Sequence, residues 1–339
     1  MSASPPNALP PIALTMGDPG GIGAEIAVKA WAALRHSGPV FFLIDDPARM
    51  AKLSHEIIVI QEPGEAQDAF ANGLPVLALT SAVSAMPGQS QRENAPAILE
   101  SVERAVGFAL DGSAAAIVTN PIQKSMLMAA GFAFPGHTEF LGELTKSAPM
   151  PGARGPVMML SGPQLRTVPV TIHHAVKDAV AMLTPQLIVH TAIVTAEALR
   201  DNFAIANPRI VISGLNPHAG EVGALGVEDD MIIAPAVDEL RDMGLDVRGP
   251  LPADTMFHEE ARATYDAALC MLHDQALIPA KTLAFHDAVN VTLGLPIVRT
   301  SPDHGTALDI AGKGVARADS LIAAIRLAAD MAQTRRENL

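Results

Sequence analysis

PIALTMGDPGGIGAEIAVKAWAALRHSGPVFFLID, residues 11–45, contains one full cycle of the pattern that decides the fold. PIALTM is a short unbroken aliphatic run that stops at a glycine-rich turn, as a strand buried on both faces does. GIGAEIAVKAWAALR then carries apolar residues at helical spacing, and PVFFLID returns to an unbroken apolar run. Strand, helix and strand in this order predict a βαβ unit, hence a largely parallel sheet covered by helices. The same rhythm continues with a short helix from about Pro47 to Leu53, then EIIVI and VLAL, a helix over APAILESVERAVGFALDG, and a strand over AAAIVTN. Gly112 ends that longer helix, because a residue without Cβ enters the left-handed cap without steric cost.

VMMLSGPQLRTVPVTI, residues 157–172, departs from this rhythm. Two strand-like runs are separated only by SGPQ, too short for a crossover helix, so a hairpin is expected. Beyond it the alternation resumes: helix PQLIVHTAIVTAEALRDNF, strand RIVISG, helix DMIIAPAVDELRDMG, strand AALCML, and a short NVTLG then LPIVRT pair. A closing helix starts near Asp319 and Ser320, both good caps, and ends in Arg335 and Arg336, cations suited to the negative end of its dipole.

At 339 residues the chain exceeds the usual size of a single core, so two domains or one large α/β unit is expected. Hydrophobic residues make up 49% but aromatic ones only 4%, so the interior is built from Ala, Val, Ile, Leu and 15 Met. The formal net charge of -13 repels polyanions, and no basic run is interleaved with aromatics, which argues against nucleic-acid binding. A small phosphorylated ligand stays compatible with that charge, because local cations and backbone amides act at short range. The single cysteine, Cys270, lies in an apolar run and rules out a disulfide within the chain. With no signal-peptide pattern and no stretch suited to crossing a bilayer, a cytoplasmic protein without membrane attachment is expected. The first ten residues, rich in Ser and Pro, are expected to form a loose tail.

Three apolar runs end in a histidine: RTVPVTI before His173, IVISGLNP before His218, and AALCML before His273. A buried strand delivers the residue at its end to the carboxyl edge of the sheet, and three imidazoles delivered there suit a divalent metal ion with an open coordination position. Each histidine alone reads as an ordinary polar residue; the shared placement is what favours a site. Asn216 and Glu221 near His218, and Asp274 and Gln275 after His273, are the residue types that orient metal-binding imidazoles. His174 beside His173 leaves open which of the two belongs, since adjacent strand residues face opposite ways.

GDPGGIGAE can wrap backbone amides around an anion at a helix start, or be a tight turn without a ligand. It is not the dinucleotide fingerprint, because Ile26 stands where GxGxxG needs glycine, so an ordinary Rossmann site is rejected. Thr119, Asn120 and Lys124 of TNPIQKS are a candidate phosphate cradle, or a capped helix bearing a solvated lysine. In PGHTEFL, Thr138 reads equally as a helix cap, and His137 needs partners to make a site. Asp254 of LPADTMF, and Arg299, Asp303 and His304 of VRTSPDHG, supply a possible proton acceptor and anion-binding charge, or plain loop charge. His36, His55, His190, His258 and His286 are assigned no role.

LTMGDPGGIGAEI, TNPIQKSML, GFAFPGHTEFL, GLNPHAGE, GPLPADTMF, HDQALIPAK and NVTLGLPIVRTSPDHGTALDIAGKG together resemble the 4-hydroxythreonine-4-phosphate dehydrogenase family of pyridoxal phosphate biosynthesis. The blocks keep the family's order over nearly the whole chain. The resemblance implies an isocitrate/isopropylmalate-dehydrogenase-like fold of two α/β/α domains with mostly parallel sheets and a cleft between them. Residues 1–128 with 289–339 would form the first domain, and 129–288 the second, which makes the dimer interface. It also implies a homodimer whose subunits share the active site, metal ligands His173, His218 and His273, and substrate contacts from His137, Thr138, Lys281, Asn290 and Arg299. AKTLAFHDAVNV departs from the family pattern, with His286 and Asp287 where a glycine-containing turn is expected, and the paired histidines of TIHH are a second, milder departure.

On this reading a divalent ion, zinc, magnesium or cobalt, activates the secondary hydroxyl of 4-phosphooxy-L-threonine while hydride passes to NAD or NADP. The β-carboxylate then leaves as carbon dioxide. Asp254 or Lys281 takes the hydroxyl proton. Rival readings keep the fold with another substrate (threonate or erythronate 4-phosphate, or a cyclic diol carboxylate), replace the chemistry by phosphate acyltransfer, or make the chain a metal-binding scaffold without enzymatic activity. Acyltransfer needs neither metal nor nicotinamide, so the histidine trio speaks against it.

Overall fold

The computed structural model describes residues 9–132, 134 and 136–338. Most of the expected loose tail, residues 1–8, lies outside the described residues. The aliphatic runs become strands, in the order β1 (Ile12–Thr15), α1 (Gly23–Leu34), β2 (Phe41–Asp45), α2 (Pro47–Met50), β3 (Ile57–Ile60), α3 (Ala66–Ala69), β4 (Leu74–Ala78), α4 (Ala95–Leu110), β5 (Ile117–Val118), α5 (Lys124–Ala129) and α6 (His137–Thr145). There follow β6 (Val157–Ser161), β7 (Arg166–Pro169), α7 (Val176–Met182), α8 (Pro185–Phe203), β8 (Arg209–Ser213), α9 (Ala234–Asp242), β9 (Asp246–Leu251), α10 (Glu259–Arg262), β10 (Ala267–Cys270), α11 (His273–Ala284) and β11 (Val289–Leu293). The chain closes with β12 (Arg299–Pro302) and α12 (Asp319–Glu337). These elements fall into two units, one running up to Pro149 and resuming over Leu295–Glu337, the other Met150–Gly294.

In the first unit the strand order is β3-β4-β2-β1-β5-β12, with every pair parallel. β1 and β2 are buried along their whole length, as strands covered on both faces must be. Phe42, Ile44, Val102, Ile117 and Leu141 share one core cluster, and each such side chain removed from water stabilises the unit by roughly 1.5–3 kcal/mol. Trp31 on α1 is buried and donates its indole N–H to the Phe70 carbonyl at 2.8 Å, so its one polar atom is satisfied.

In the second unit the order is β11-β6-β7-β10-β8-β9. β6 runs antiparallel to β7 and to β11, and the Gly162 N–H donates to the Leu165 carbonyl at 2.9 Å to close the short turn between β6 and β7. β7, β10, β8 and β9 are mutually parallel. β11 pairs with β6, and β12 pairs with β5. The segment expected as one helix over 230–244 is split, with a π-helical turn at Asp229–Ile233 leading into α9. Pro235 explains the break, because without an N–H it cannot continue the regular ladder; the Ala234 N–H reaches the Asp229 carbonyl instead.

Candidate active site

The three strands that are each followed within five residues by one of these histidines are consecutive neighbours, β7, β10 and β8, all pointing the same way. Their loops therefore emerge at one edge of the sheet. The β7–β10 ladder runs past both strand ends, with the Val170 N–H on the Cys270 carbonyl at 2.8 Å and the Thr171 N–H on the Met271 carbonyl at 3.3 Å. Thr171 Oγ1 also donates to the Met271 carbonyl, at 2.6 Å. His173 and His273 each lie two residues beyond that last pair, and their ring centroids are 5.8 Å apart. Of the adjacent pair, it is His173 whose ring packs with His273, although both line a cavity of about 400 Å³ together with Thr171, Leu272 and Asp274.

His273 is the first residue of α11, and its Nδ1 lies 2.7 Å from Asp274 Oδ1. A carboxylate only accepts, so Nδ1 carries the proton and Nε2 is the nitrogen left to face a ligand. His218 sits on the loop after β8, where His218, Ala219, Gly220, Glu221, Val222 and Gly223 all have positive φ. Residues with a Cβ resist that basin, so the turn is strained and must be held. Asp229, buried at the π-helical turn, holds it: Oδ1 accepts from the Leu215 N–H at 2.8 Å, and Oδ2 from the Asn216 N–H at 3.1 Å and Asn216 Nδ2 at 2.9 Å. Glu228 takes a further bond from Asn216 Nδ2 at 2.8 Å.

Among the described residues no three His, Cys, Asp or Glu side chains lie close enough to hold a metal ion. Two of the three expected imidazoles are thus brought together, and the third stands on the loop of the next strand. Three imidazoles on adjacent parallel strand ends, one already fixed by a carboxylate, are a donor set that fits a divalent ion.

Asp254 is exposed in a short 3-10 turn that follows β9, the neighbour of β8. The Gly214 N–H donates to the Leu251 carbonyl at 2.7 Å, tying that turn's approach to the start of the His218 loop. Lys281, half-buried near the end of α11, lines a cavity of about 470 Å³ with His273, Leu277 and Phe285. Asn290 lies in β11, paired with Leu160 of β6.

The first unit gathers His137, Arg299 and Thr119. Arg299 is only 3% exposed, and its Nε and one terminal nitrogen donate to Thr119 Oγ1 at 3.2 and 2.6 Å. Burial pushes this guanidinium down to about 10, so it stays charged at neutral pH. His137 opens α6 beside a cluster of Phe132, Phe134 and Phe140 rings. Burial first, and the Arg299 charge second, pull its imidazole down to about 3. Its Nε2 is buried and has no partner among the described residues. A buried cation beside a neutral imidazole with an unspent nitrogen is suited to an anionic group. Thr138 is not the helix cap, because Gly136 occupies that position, and its hydroxyl is half-buried in the first turn of α6.

Of the candidate phosphate cradle only Thr119 reaches Arg299. Asn120 is tied back to β1, its N–H on Thr15 Oγ1 at 3.1 Å and its Nδ2 on the Thr15 carbonyl at 2.9 Å, and Lys124 is exposed. The glycine-rich loop spends its amides on the protein: Asp18 on the Pro121 carbonyl, Gly20 on Asp18 Oδ1, Gly21 on the Asp18 carbonyl and Ile22 on the Thr306 carbonyl. A Cβ at Gly20 would meet the Gln89 carbonyl oxygen at 2.1 Å, so that glycine permits close backbone packing.

Asp229 and Gln275 are the residues whose importance sequence reasoning missed or left as mere proximity. An acid ahead of DMII reads as ordinary first-turn charge, and only the folded loop shows what it holds.

Residues 40–328 match the family described as pyridoxal phosphate biosynthetic protein PdxA. A relative from Caulobacter vibrioides, named 4-hydroxythreonine-4-phosphate dehydrogenase, is 54% identical over 327 residues, covering 96% of this chain and 98% of that one. The crystal structure of a 4-hydroxythreonine-4-phosphate dehydrogenase from Klebsiella pneumoniae superimposes with a TM-score of 0.85 at 36% identity, covering 96% and 99% of the two chains. A terephthalate 1,2-cis-dihydrodioldehydrogenase from Burkholderia xenovorans is more distant, with a TM-score of 0.64 and 28% identity over 95% and 98% of the chains.

Proposed function

We propose, from the premise that this chain belongs to the pyridoxal phosphate biosynthetic protein PdxA family, that it is a dehydrogenase which oxidises 4-phosphooxy-L-threonine with NAD or NADP and releases carbon dioxide, leaving 3-amino-2-oxopropyl phosphate. The observation that carries this reading is the row of three parallel strands whose loops bear His173, His273 and His218, two of them with rings 5.8 Å apart. Those three imidazoles would hold a divalent ion, zinc, magnesium or cobalt, which supplies Lewis-acid polarisation of the substrate's secondary hydroxyl, and a bound nicotinamide supplies the hydride acceptor.

The chain's own groups do the rest. Asp254 or Lys281 takes the hydroxyl proton: Lys281 shares a cavity with His273, and the turn of Asp254 is tied to the start of the His218 loop. Arg299 holds an anionic end of the substrate, with the neutral imidazole of His137 and the Thr138 hydroxyl beside it. Asn290 supplies an amide contact. When the carboxylate leaves as carbon dioxide, the electron pair of the broken C–C bond passes into the adjacent carbonyl, and a proton returns to the carbon.

A second copy of the chain completes the site in a homodimer. Ile278 on α11 and Phe285 just past its end, 62% and 71% exposed, flank the cavity that Lys281 and His273 line, and large apolar side chains on a functional edge mark a surface that another subunit covers. Among the described residues no single helix is long and apolar enough to cross a membrane, and we place the enzyme in the cytoplasm.

The deciding experiment follows NADH or NADPH formation with 4-phosphooxy-L-threonine, threonate 4-phosphate, erythronate 4-phosphate and a cyclic cis-dihydrodiol carboxylate side by side, before and after chelation. Preference for the first, lost on chelation and restored by metal, is expected. Preference for the cyclic diol would move the assignment toward the dihydrodiol dehydrogenase, and full activity after metal removal would refute the role of the histidines. Comparing the pH–rate profiles of Asp254→Asn and Lys281→Met identifies the base, since only loss of the true base abolishes the acidic limb.

A further inference from the structure

Asp229 is fully buried, yet among the described residues its carboxylate meets no cation. Its partners are three N–H groups of the loop after β8: the Leu215 N–H on Oδ1, and the Asn216 N–H and Asn216 Nδ2 on Oδ2. Taking a carboxylate out of water is unfavourable unless it is paired, and this one is satisfied by loop N–H groups alone. Such a placement makes physical sense where a loop must keep a shape that it would not adopt unaided.

The left-handed turn is that shape. Gly214 before it and Gly220 within it both pack on Asp229: a Cβ on Gly214 would lie 2.7 Å from Oδ1, and one on Gly220 would lie 3.2 Å from Asp229 Cβ. His218 stands between these two contacts, exposed, at the first of six consecutive positive φ angles. The start of the loop is held separately, with the Gly214 N–H on the Leu251 carbonyl at 2.7 Å and Gln275 Nε2 on the Gly214 carbonyl at 2.9 Å. Asn216, two residues before the histidine, is fixed through its amide, which bridges Asp229 and Glu228 at 2.9 and 2.8 Å. A Cβ on Gly226 would come within 2.5 Å of that Nδ2, so the chain leaving the turn closes on the same amide. One buried carboxylate thus grips the backbone ahead of an exposed imidazole and packs against the backbone that follows it.

We propose that Asp229 is a positioning residue that imposes the left-handed turn and so presents His218 as a ligand to a divalent ion; this rests on the metal reading given above. The test titrates the full-length protein with Co²⁺ alone, following d–d absorption and the dissociation constant, for the wild type, Asp229→Asn, His218→Ala and the double variant, with urea unfolding confirming that each is folded. Asp229→Asn keeps the shape and one acceptor but turns a donor toward the Asn216 N–H. It is expected to weaken Co²⁺ binding roughly tenfold or more and to shift the absorption bands toward those of His218→Ala. Because both substitutions act through one imidazole, the double variant should bind Co²⁺ like His218→Ala alone, whereas effects exerted at separate places would multiply. If Asp229→Asn does not fold, Asn216→Ala, which removes the amide that Asp229 and Glu228 share, takes its place in the same cycle with the same expectation. The proposal alone is overturned if His218→Ala weakens binding while Asp229→Asn stays within about twofold of the wild type, or if Asp229→Asn weakens the His218→Ala protein as much as it weakens the wild type. Unchanged Co²⁺ binding in His218→Ala overturns the metal reading and the proposal with it.

Discussion

Replacing Thr119 by valine keeps the shape of the side chain but removes the oxygen on which Arg299 rests. Two N–H groups of a nearly fully buried guanidinium converge on that oxygen, at 3.2 and 2.6 Å. A hydrogen bond to a charged group contributes about 1.5–3 kcal/mol, and because the two share one acceptor the joint loss is taken as about 3 kcal/mol rather than twice that. Water cannot enter to replace it, since Arg299 is only 3% exposed. Urea unfolding of Thr119→Val should therefore show about 3 kcal/mol less stability, whereas Thr119→Ser, which keeps the oxygen, should lose under about 1 kcal/mol. The loosened guanidinium should also raise KM for the phosphorylated substrate about tenfold, the equivalent of about 1.4 kcal/mol, with a smaller change in kcat. A valine variant within about 0.5 kcal/mol of the wild type and with unchanged KM would refute the idea that Thr119 holds the arginine in place.

Three further outcomes are expected. The folded chain leaves His137 unprotonated down to about pH 3 while the unfolded chain protonates it near 6.5, so the unfolded state binds the extra proton between those values and stability falls as pH drops through that window; urea midpoints at stepped pH should show a shallower slope for His137→Gln, and an identical slope would contradict the assignment. Burial pushes the Cys270 thiol up to about 12, so a thiol-specific reagent should label it only in denaturant, and prompt labelling of the native protein would show that β10 is not sealed. Phe285→Asp should give a monomer by sedimentation and little turnover, whereas a fully active dimer would mean that α11 is not at the interface.

The strands were legible because each aliphatic run is short, unbroken and bounded by Gly, Pro or a polar residue. The SGPQ turn and its hairpin could be read from length alone. Which strands lie side by side could not: that β10 separates β7 from β8 is a tertiary fact, and it is what places the three histidine loops on one edge. His173, His218 and His273 stood out because polar residues end apolar runs, but that the ring packed with His273 is that of His173 and not His174 shows only in the folded chain. The π-helical turn before α9 was hidden because Pro235 in the first turn of a helix is ordinary; its effect depends on the Ala234 N–H reaching back to Asp229. The two readings of the glycine-rich loop could not be separated there, since glycine required for close backbone packing and glycine required to cradle an anion look alike in a sequence. Asp229 and Gln275 act by holding backbone groups far along the chain, and no local pattern announces such a bond.

The left-handed winding from His218 to Gly223 has a consequence for anyone who engineers or evolves this enzyme. Four of its residues carry a Cβ in a basin that costs an L-amino acid about 1–2 kcal/mol each, so selection for heat tolerance alone would favour glycine there, above all at the β-branched Val222, which is 94% exposed and contributes little packing. Each such gain would soften the ground on which an imidazole stands. With His218 in the role proposed for it, thermal robustness and catalytic competence pull this short segment in opposite directions, and variants recovered for one property should be screened for the other.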